Sequence, residues 1–387
     1  MRSYYPWLDL LRFAAALSVA FFHLMFSSWA GDLRGLDRYL YSGAQFPSAV
    51  AFTWFGWVGV EIFFVISGFV IANSASKASP IEFLINRALR LYPAVWVCAT
   101  AAFVVLLIFA RDSFPQLIGP YIRSMLLVPR GPWIDDVYWT LSAEISFYAL
   151  VFVLLALKRV TLLHAAWALT IYSGIFNAFF LLAMLKFPLS HLYWFFVIHR
   201  VTAAPLLMYH GCLFALGIWF WAAANRKLRP LERFGLVLAF ISGAAEIYST
   251  SLFHVTDLPA VSGQWPLVPV AVYVAAMCVV GFTAMESRRS INRSVPGAGY
   301  FRTVGLITYP LYLTHKTVGG TIARVLIEAG LDATLSVLVA LSSVIALCWV
   351  VCLNIEPPLR ALMKQFLSCL GLLPTRATSL SPISRQT

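Results

Sequence analysis

Apolar stretches long enough to cross a lipid bilayer recur along the whole chain of 387 residues. A membrane-spanning helix needs about 20 consecutive, mostly apolar residues to cross the hydrocarbon layer. By that measure the sequence holds about ten candidate spans, at 8–29, 49–73, 92–110, 139–157, 162–184, 202–224, 234–253, 266–285, 303–320 and 333–354. The sequence therefore predicts an all-α, polytopic integral membrane protein.

Charged residues are too scarce for a soluble protein of this length. They make up 11% of the chain, against about 25% in soluble domains, while 61% of the residues are hydrophobic. The net charge is +12, but the basic residues lie in short runs between apolar stretches, as in membrane proteins. We therefore expect the lipid bilayer as a partner, and no nucleic acid.

Lys and Arg are concentrated in alternate connecting segments, which predicts the orientation. Cytoplasmic loops carry the excess of Lys and Arg, so both termini are expected in the cytoplasm. We expect residues 1–365 to form the transmembrane domain, with a permanent first span rather than a removable signal peptide, and 366–387 to form a short disordered cytoplasmic tail. The basic set of segments contains Lys77, Arg87, Arg90, Lys158, Arg159, Arg226, Lys227, Arg229, Arg233, Arg288, Arg289, Arg293, Arg302, Arg360 and Lys364.

The cysteines do not predict a metal site. Cys348 and Cys352 share a helix face, but no His accompanies them at ligand spacing. We therefore expect the cysteines to fill apolar space and the chain to bind no metal.

The first candidate span carries titratable side chains on one helical face. Asp9 and Arg12 share that face, and His23 follows Arg12 after nearly three turns. The rise from Arg12 to His23 is about 16 Å, so this face joins the inner surface to a buried imidazole. The alternative is an interfacial Asp9–Arg12 ion pair, with His23 bonded to a neighbouring helix.

Two carboxylates inside predicted spans each need a partner or a polar cavity. Glu61, in GVEIFFVISGF, lies near the midplane of the second span. Its partner is either His23 or, if Glu61 is protonated, a backbone carbonyl. Glu144, in WTLSAEISFY, is expected just below the outer interface, where the aromatic residues around it suit a sugar acceptor. A snorkelling side chain within an aromatic belt is the alternative.

Basic residues before the third span predict an anion site. Arg87 and Arg90 form a paired cationic face if their segment is helical, and guanidinium pairs suit a phosphate-bearing ligand. Positive-inside anchoring gives the same pattern. His315, in YPLYLTH, is a second buried histidine beside Pro310, where it either relays a proton or holds the site together.

In their order along the chain these motifs resemble the acyltransferase-3 family of membrane acyltransferases. The resemblance covers almost the whole chain. Thr140 stands where Ser is common. We expect the stand-alone type, without the soluble hydrolase-like domain that is fused to many members. The matching pieces are Asp9-Leu10-Leu11-Arg12 with His23, GVEIFFVISGF, Arg87 and Arg90 followed by Pro93, WTLSAEISFY, YPLYLTH, and Glu356-Pro357.

The resemblance implies an O-acyltransferase in a bacterial plasma membrane. It implies that an acyl group passes from cytoplasmic acetyl-CoA or another acyl-CoA to a hydroxyl of an extracytoplasmic saccharide or glycolipid. The resemblance favours acetyl as the acyl group. We expect His23 to act as general base or transient acyl carrier, polarised by Glu61 or Glu144. The implied catalytic residues are His23, Glu144, Glu61 and His315, and the implied donor-binding residues are Arg12, Arg87 and Arg90.

Two other functions fit the predicted fold. A polysaccharide or lipid transporter would line its pathway with the same polar residues, and a non-catalytic assembly subunit would keep them for structure. A transport pathway does not explain paired arginines below a deep histidine. The sequence leaves open the acceptor, the acyl chain length, and whether the chain forms a homo-oligomer.

Overall fold

A computed structural model describes residues 5–31, 36–110, 113–158, 161–186, 204–289 and 298–372. Within those ranges the fold is helical, without β-strands, and nine helices are long and apolar enough to cross a bilayer. The predicted all-α, polytopic fold is confirmed. The helices are α1 (Pro6–Ala30), α2 (Leu36–Leu40), α3 (Pro47–Ala75), α4 (Pro80–Ala110), α5 (Phe114–Met125), α6 (Asp136–Leu157), α7 (Leu162–Lys186), α8 (Ala204–Asn225), α9 (Pro230–Asp257), α10 (Val268–Arg289), α11 (described next) and α12 (Ala333–Cys369).

The candidate span 303–320 is helical, but it is more polar than the nine helices that are long and apolar enough to cross a bilayer. It forms α11, which consists of Ala298–Thr314, a π-helical turn at His315–Gly319, and Gly320–Glu328. Helix α11 packs against α1 and α12 and buries the side chains of His315 and Lys316. These polar groups explain why its composition alone does not mark it as a span.

Some predictions fall at or beyond the edges of the described ranges. The segment from Lys186 to Arg200 is apolar and aromatic in sequence, a composition that also fits a re-entrant or interfacial piece, and it lies outside the described ranges apart from Lys186. The tail boundary expected after residue 365 falls inside α12, which continues to Cys369. Residues 373–387 are not described.

Connecting segments rich in Lys and Arg converge at one end of the bundle, named here the basic end. Ala78, Thr161 and Arg226 line one pocket there, although they belong to different connections. Arg360 of α12 donates a hydrogen bond to the carbonyl oxygen of Leu89 in α4, at 3.1 Å. In the described part of the chain, the basic segments around Lys77, Lys158 and Arg226 therefore meet in the fold.

Helix α5 turns back against α4 instead of lying in a plain loop. The ring of Phe114 contacts that of Phe103, with centroids 5.7 Å apart, and Trp96 donates to the carbonyl oxygen of Met125 at 3.3 Å. Since Trp96 precedes Phe103, α5 runs antiparallel to α4 and brings the chain back towards the basic end. The connection between α4 and α6 therefore runs back along α4 and is not a short loop at the end of the bundle.

Helices α3 and α8 pack with their backbones in near contact. A Cβ atom on Gly68 would lie 2.2 Å from the carbonyl oxygen of Phe214, and one on Gly217 would lie 2.1 Å from that of Val65. Small residues allow this approach in lipid, where close packing holds helices together. The seam fixes α3, the helix that carries Glu61, in the centre of the bundle.

Gly217→Ala is expected to destabilise the protein by about 3 kcal/mol, the upper end of overpacking costs, because the new methyl group forces the α3 and α8 backbones apart. Thermal unfolding in detergent measures the effect. Gly119→Ala in α5 is the matched control, since a Cβ there has no atom within 4 Å. Equal unfolding midpoints for the two variants would contradict the close seam.

Candidate active site

A cavity of about 320 Å³ lies in the half of the bundle next to the basic end. Helices α1, α3, α4, α6 and α11 line it, and its volume falls in the range of roughly 300–1,000 Å³ typical of small-molecule sites. We name it the main cavity. Its polar lining consists of Arg12, Ser67, Arg87, Arg90, Thr140, Glu144, Tyr148, Thr308, Tyr309 and Tyr312.

Three guanidinium groups face the main cavity. Nη1 of Arg12 lies 3.3 Å from Oδ1 of Asp9. Arg87 and Arg90 form no salt bridge with any residue in the described part of the chain. Cations away from bulk water are costly unless an anion accompanies them. The arrangement therefore suits an anionic ligand, and it brings together the arginines that the sequence assigns to the donor.

Glu144 also faces the main cavity, away from His23. Its Oε1 accepts hydrogen bonds from the Ser67 hydroxyl, at 2.9 Å, and from the Tyr148 hydroxyl. This position differs from the expected one beside an acceptor near the outer interface, because α6 turns the side chain towards α3 and α4. Glu144 adds one negative charge to a cavity lined by three arginines.

His23 is hydrogen-bonded to His315 rather than to a carboxylate. Its Nδ1 lies 2.9 Å from Nε2 of His315, whose own Nδ1 lies 2.8 Å from the carbonyl oxygen of Tyr312. A carbonyl oxygen only accepts, so Nδ1 of His315 carries a proton. In the neutral pair, Nε2 of His315 then accepts from Nδ1–H of His23. Nε2 of His23 keeps its lone pair, which is the form that a general base requires.

Both histidines begin π-helical turns, at His23–Ser27 and His315–Gly319. Such turns widen a helix and occur frequently at functional sites. The two turns contact each other, so the widened parts of α1 and α11 face one another. The sequence places both histidines inside spans and offers no sign that they pair.

Two aromatic rings of the main-cavity lining lie next to each other, one of them beside the histidine pair, and we name them the aromatic ceiling. Phe63 and Tyr312 line the cavity, with ring centroids 5.7 Å apart, and the Tyr312 ring lies 5.7 Å from that of His315. His23 instead lines a recess of about 20 Å³, together with residues such as Leu40. The histidine pair thus lies between a large cavity and a small recess.

A buried lysine holds several segments together at the end opposite the basic end. Nζ of Lys316 lies 2.8 Å from Oδ1 of Asp37 and 2.6 Å from Oδ2 of Asp136. Asp135 accepts the backbone N–H of Thr317 at 3.1 Å. Burial raises the pKa of Asp37, and it raises that of Asp135 to about 7. These contacts tie α2 and the start of α6 to the π-helical turn of α11.

Glu61 belongs to a separate buried cluster. Nδ1 of His210 lies 2.6 Å from Oε1 of Glu246 and 3.6 Å from Oε2 of Glu61, and all three residues have further interactions. The expected pairing of Glu61 with His23 is therefore wrong, since the nearby imidazole is that of His210. One ligand atom from each residue lies within 4.8 Å of the others, close enough to share a cation.

His210 and Glu246 are the residues of this cluster that the sequence predictions miss. A signal for Glu246 exists, because it is a carboxylate within the seventh candidate span and therefore needs a buried partner. His210 has the same signal, because it is a histidine within the sixth candidate span, but the sequence does not indicate which residues it meets.

Comparison with known proteins decides the family. The acyltransferase-3 profile, which describes an acyltransferase domain, matches residues 5–353. The chain belongs to the acyltransferase-3 family. The match includes the main cavity, its aromatic ceiling and the histidine pair.

Curated relatives of this acyltransferase are distant. The exopolysaccharide production protein ExoZ of Rhizobium meliloti is 26% identical over 302 residues, which cover 74% of this chain and 84% of that protein. The peptidoglycan O-acetyltransferase OatA of Listeria monocytogenes is 27% identical over 154 residues, or 38% of this chain and 20% of OatA. Nodulation protein 10 of Rhizobium leguminosarum is 27% identical over 176 residues, or 39% and 44%. No solved structure matches the chain.

The predicted site residues of the acyltransferase fall into three places. The main cavity holds the residues predicted for the donor and one predicted catalytic carboxylate. A pair of histidines lies beyond its aromatic ceiling, and the other carboxylate lies in a cluster of its own. The groups are Arg12, Arg87, Arg90 and Glu144; His23 and His315; and Glu61.

Lys316→Met is expected to lower the free energy of unfolding by about 2 kcal/mol. This is less than the 3–5 kcal/mol for breaking a fully buried pair, because Asp136 is 56% exposed. The loss of stability should be larger at pH 8 than at pH 5. A carboxyl group with a raised pKa ionises only as the pH rises, and the carboxylate that forms is stabilised by the charge of Lys316. Unfolding in detergent at both pH values measures it.

The control for Lys316→Met is Arg226→Met, which breaks an exposed pair with Glu232 at the basic end. Such pairs contribute at most about 1 kcal/mol. If the two variants lost the same stability at both pH values, Lys316 would not hold these segments together.

Proposed function

We propose that this acyltransferase moves an acyl group from acyl-CoA to a hydroxyl of an extracytoplasmic saccharide or glycolipid. The observation that carries the proposal is the pair of arginines without salt bridges, Arg87 and Arg90, in a cavity separated from a histidine pair by one aromatic layer. The relatives support the acceptor class, since one is named for exopolysaccharide production and another as a peptidoglycan O-acetyltransferase.

We place the basic end in the cytoplasm of a bacterial plasma membrane, with both termini on that side. The support is the excess of Lys and Arg in the loops at this end. Acyl-CoA is a cytoplasmic metabolite with anionic phosphates, so it would meet the arginines first. The acceptor would then approach from the opposite end, where Asp37 and Asp136 lie.

The donor is proposed to bind with its phosphates at Arg12, Arg87 and Arg90 and with its flexible arm extended along α1. Guanidinium groups give phosphates paired, charge-assisted hydrogen bonds. Glu144 reduces the positive charge of the cavity and fixes Ser67 and Tyr148. From Arg12 to His23 the helix rises about 16 Å, a distance that the extended arm spans.

The chemical step is proposed to occur at Nε2 of His23. This nitrogen takes the proton of the acceptor hydroxyl while the oxygen attacks the thioester carbonyl carbon. The carbon–sulfur bond then breaks and the CoA thiolate leaves. The proton remains on Nε2 of His23. His315 would keep the proton of His23 on Nδ1 and thereby position the base, which is a role that the expected carboxylates do not fill.

The recess on the far side of His23 suits the acceptor hydroxyl. Its volume of about 20 Å³ is close to that needed for one water molecule, roughly 10–15 Å³ on the same measure. A single hydroxyl group fits such a space, whereas a whole sugar ring does not. The recess would therefore admit the reacting group alone while the rest of the acceptor stays outside.

His23→Ala is expected to lower acyl transfer by at least about 10²-fold, the lower range for loss of a general base, while the protein still folds. Purified protein in detergent is assayed for CoA release from acetyl-CoA, and cells are assayed for O-acetyl groups on surface glycans. His164→Ala, which changes an exposed histidine at the start of α7, should leave both signals unchanged. Full activity of His23→Ala would remove the proposed mechanism, and it is the result expected of a transporter or an assembly subunit.

Arg87→Gln is expected to raise the KM for acetyl-CoA by about 10- to 100-fold, because charge-assisted hydrogen bonds contribute roughly 1.5–3 kcal/mol. The turnover number should change much less, since Arg87 lies far from the reacting atoms. Initial rates over a range of acetyl-CoA concentrations separate the two quantities.

Lys227→Gln is the control for Arg87→Gln, because Lys227 is an exposed cation at the basic end outside the main cavity. Its KM should stay at the wild-type value. An equal rise in both variants would show general surface attraction rather than a phosphate site in the main cavity.

A further inference from the structure

From the aromatic ceiling of the main cavity we infer that Phe63 and Tyr312 select the acyl group and restrict it to short groups such as acetyl. The inference rests on the proposed acyl-CoA donor, and it adds which acyl groups that donor can carry. Neither ring carries a positive charge that could bind phosphates, and the Tyr312 hydroxyl points to the carbonyl oxygen of Val137.

The two rings narrow the route by which the donor arm would pass from the arginines to the histidine pair. They belong to α3 and α11 and meet edge to face, at an interplanar angle of 73°. The Tyr312 hydroxyl lies 3.5 Å from the carbonyl oxygen of Val137, and the tyrosine side chain is only 7% exposed. Packing on both sides therefore holds the ring in place as the ceiling of the cavity.

Beyond the histidine pair the described residues leave little space for an acyl chain. The recess beside His23 has a volume of about 20 Å³, which holds about one water molecule. Its wall is tight, since a Cβ atom on Gly320 would lie 2.9 Å from the Leu40 side chain. A long acyl chain therefore cannot pass His23 into a second chamber.

These limits fix where the acyl tail lies during transfer. The thioester carbon has to come within about 3–3.5 Å of the attacking oxygen, which Nε2 of His23 deprotonates. The tail then lies against Phe63 and Tyr312, with the recess already filled by the hydroxyl. An acetyl group places one methyl group there, whereas each further methylene pushes against the rings. A misfitting methylene changes specificity by roughly 10- to 200-fold.

A series of acyl-CoA donors tests the inference. Purified protein in detergent is given acetyl-, butyryl- and hexanoyl-CoA, and kcat/KM is measured from CoA release. We expect wild-type protein to prefer acetyl over hexanoyl by at least about 100-fold. Phe63→Ala should reduce that ratio by at least about 10-fold, because removal of the ring opens the ceiling.

Phe52→Ala is the matched control, since Phe52 belongs to the same helix and is 79% exposed. Its acetyl-to-hexanoyl ratio should equal that of the wild type. Tyr312→Leu is the second variant and should also lower the ratio, so a folding failure of Phe63→Ala does not remove the test. An unchanged ratio in a folded ceiling variant overturns the inference.

The wild-type series separates this inference from the proposed function. Equal kcat/KM values for acetyl- and hexanoyl-CoA would overturn selection by the rings and leave acyl transfer standing. Absence of CoA release with every donor would instead contradict the proposed donor itself.

Discussion

A polar group inside a bilayer has to be satisfied by other protein groups, by water or by a ligand, because hydrocarbon offers it no partner. This constraint divides the buried titratable residues of the acyltransferase into two kinds. Some satisfy each other and hold helices together. Others face the main cavity, where a bound ligand is needed to satisfy their charge. The first kind includes Glu61 with His210 and Glu246, and Lys316 with Asp37 and Asp136, whereas Arg87 and Arg90 are of the second kind.

The same division explains how the fold supports chemistry at His23. Close packing of α3 against α8 places Phe63 at the ceiling of the main cavity, and the contacts of Lys316 fix the turn that carries His315. His315 in turn determines which nitrogen of His23 keeps its lone pair. The proposed base therefore depends on contacts that reach from the centre of the bundle to the end opposite the basic end.

Much of this arrangement could be predicted from the sequence, since it depends on properties within one segment. Helix length and hydropathy predict the spans, and charge predicts which loops meet. Helical periodicity places Arg12 and His23 on one helix face, and the spacing of Arg87 and Arg90 predicts that they act together. These are local quantities, and in the folded bundle nine helices are long and apolar enough to be spans, while Arg12, Arg87 and Arg90 line one cavity in the described part of the chain.

Pairing between spans could not be predicted, because periodicity gives the face of a helix but not the neighbour that the face meets. The sequence therefore predicts Glu61 as a partner for His23, although His210 is the imidazole beside it. It also predicts Glu144 near the acceptor, although Glu144 bonds to Ser67 in the main cavity. The return of α5 against α4 is a further case, since it depends on contacts between distant residues such as Trp96 and Met125.

The proposed mechanism requires that the imidazole of His23 is reached by a thioester from the basic end and by an alcohol from the other end. A cryo-EM structure with a non-reactive acetyl-CoA analogue tests it most directly. We expect phosphate density among Arg12, Arg87 and Arg90, with the acyl carbon positioned so that a hydroxyl at Nε2 of His23 lies about 3–3.5 Å from it. Density for the analogue outside the main cavity, or an acyl end remote from His23, would contradict the account.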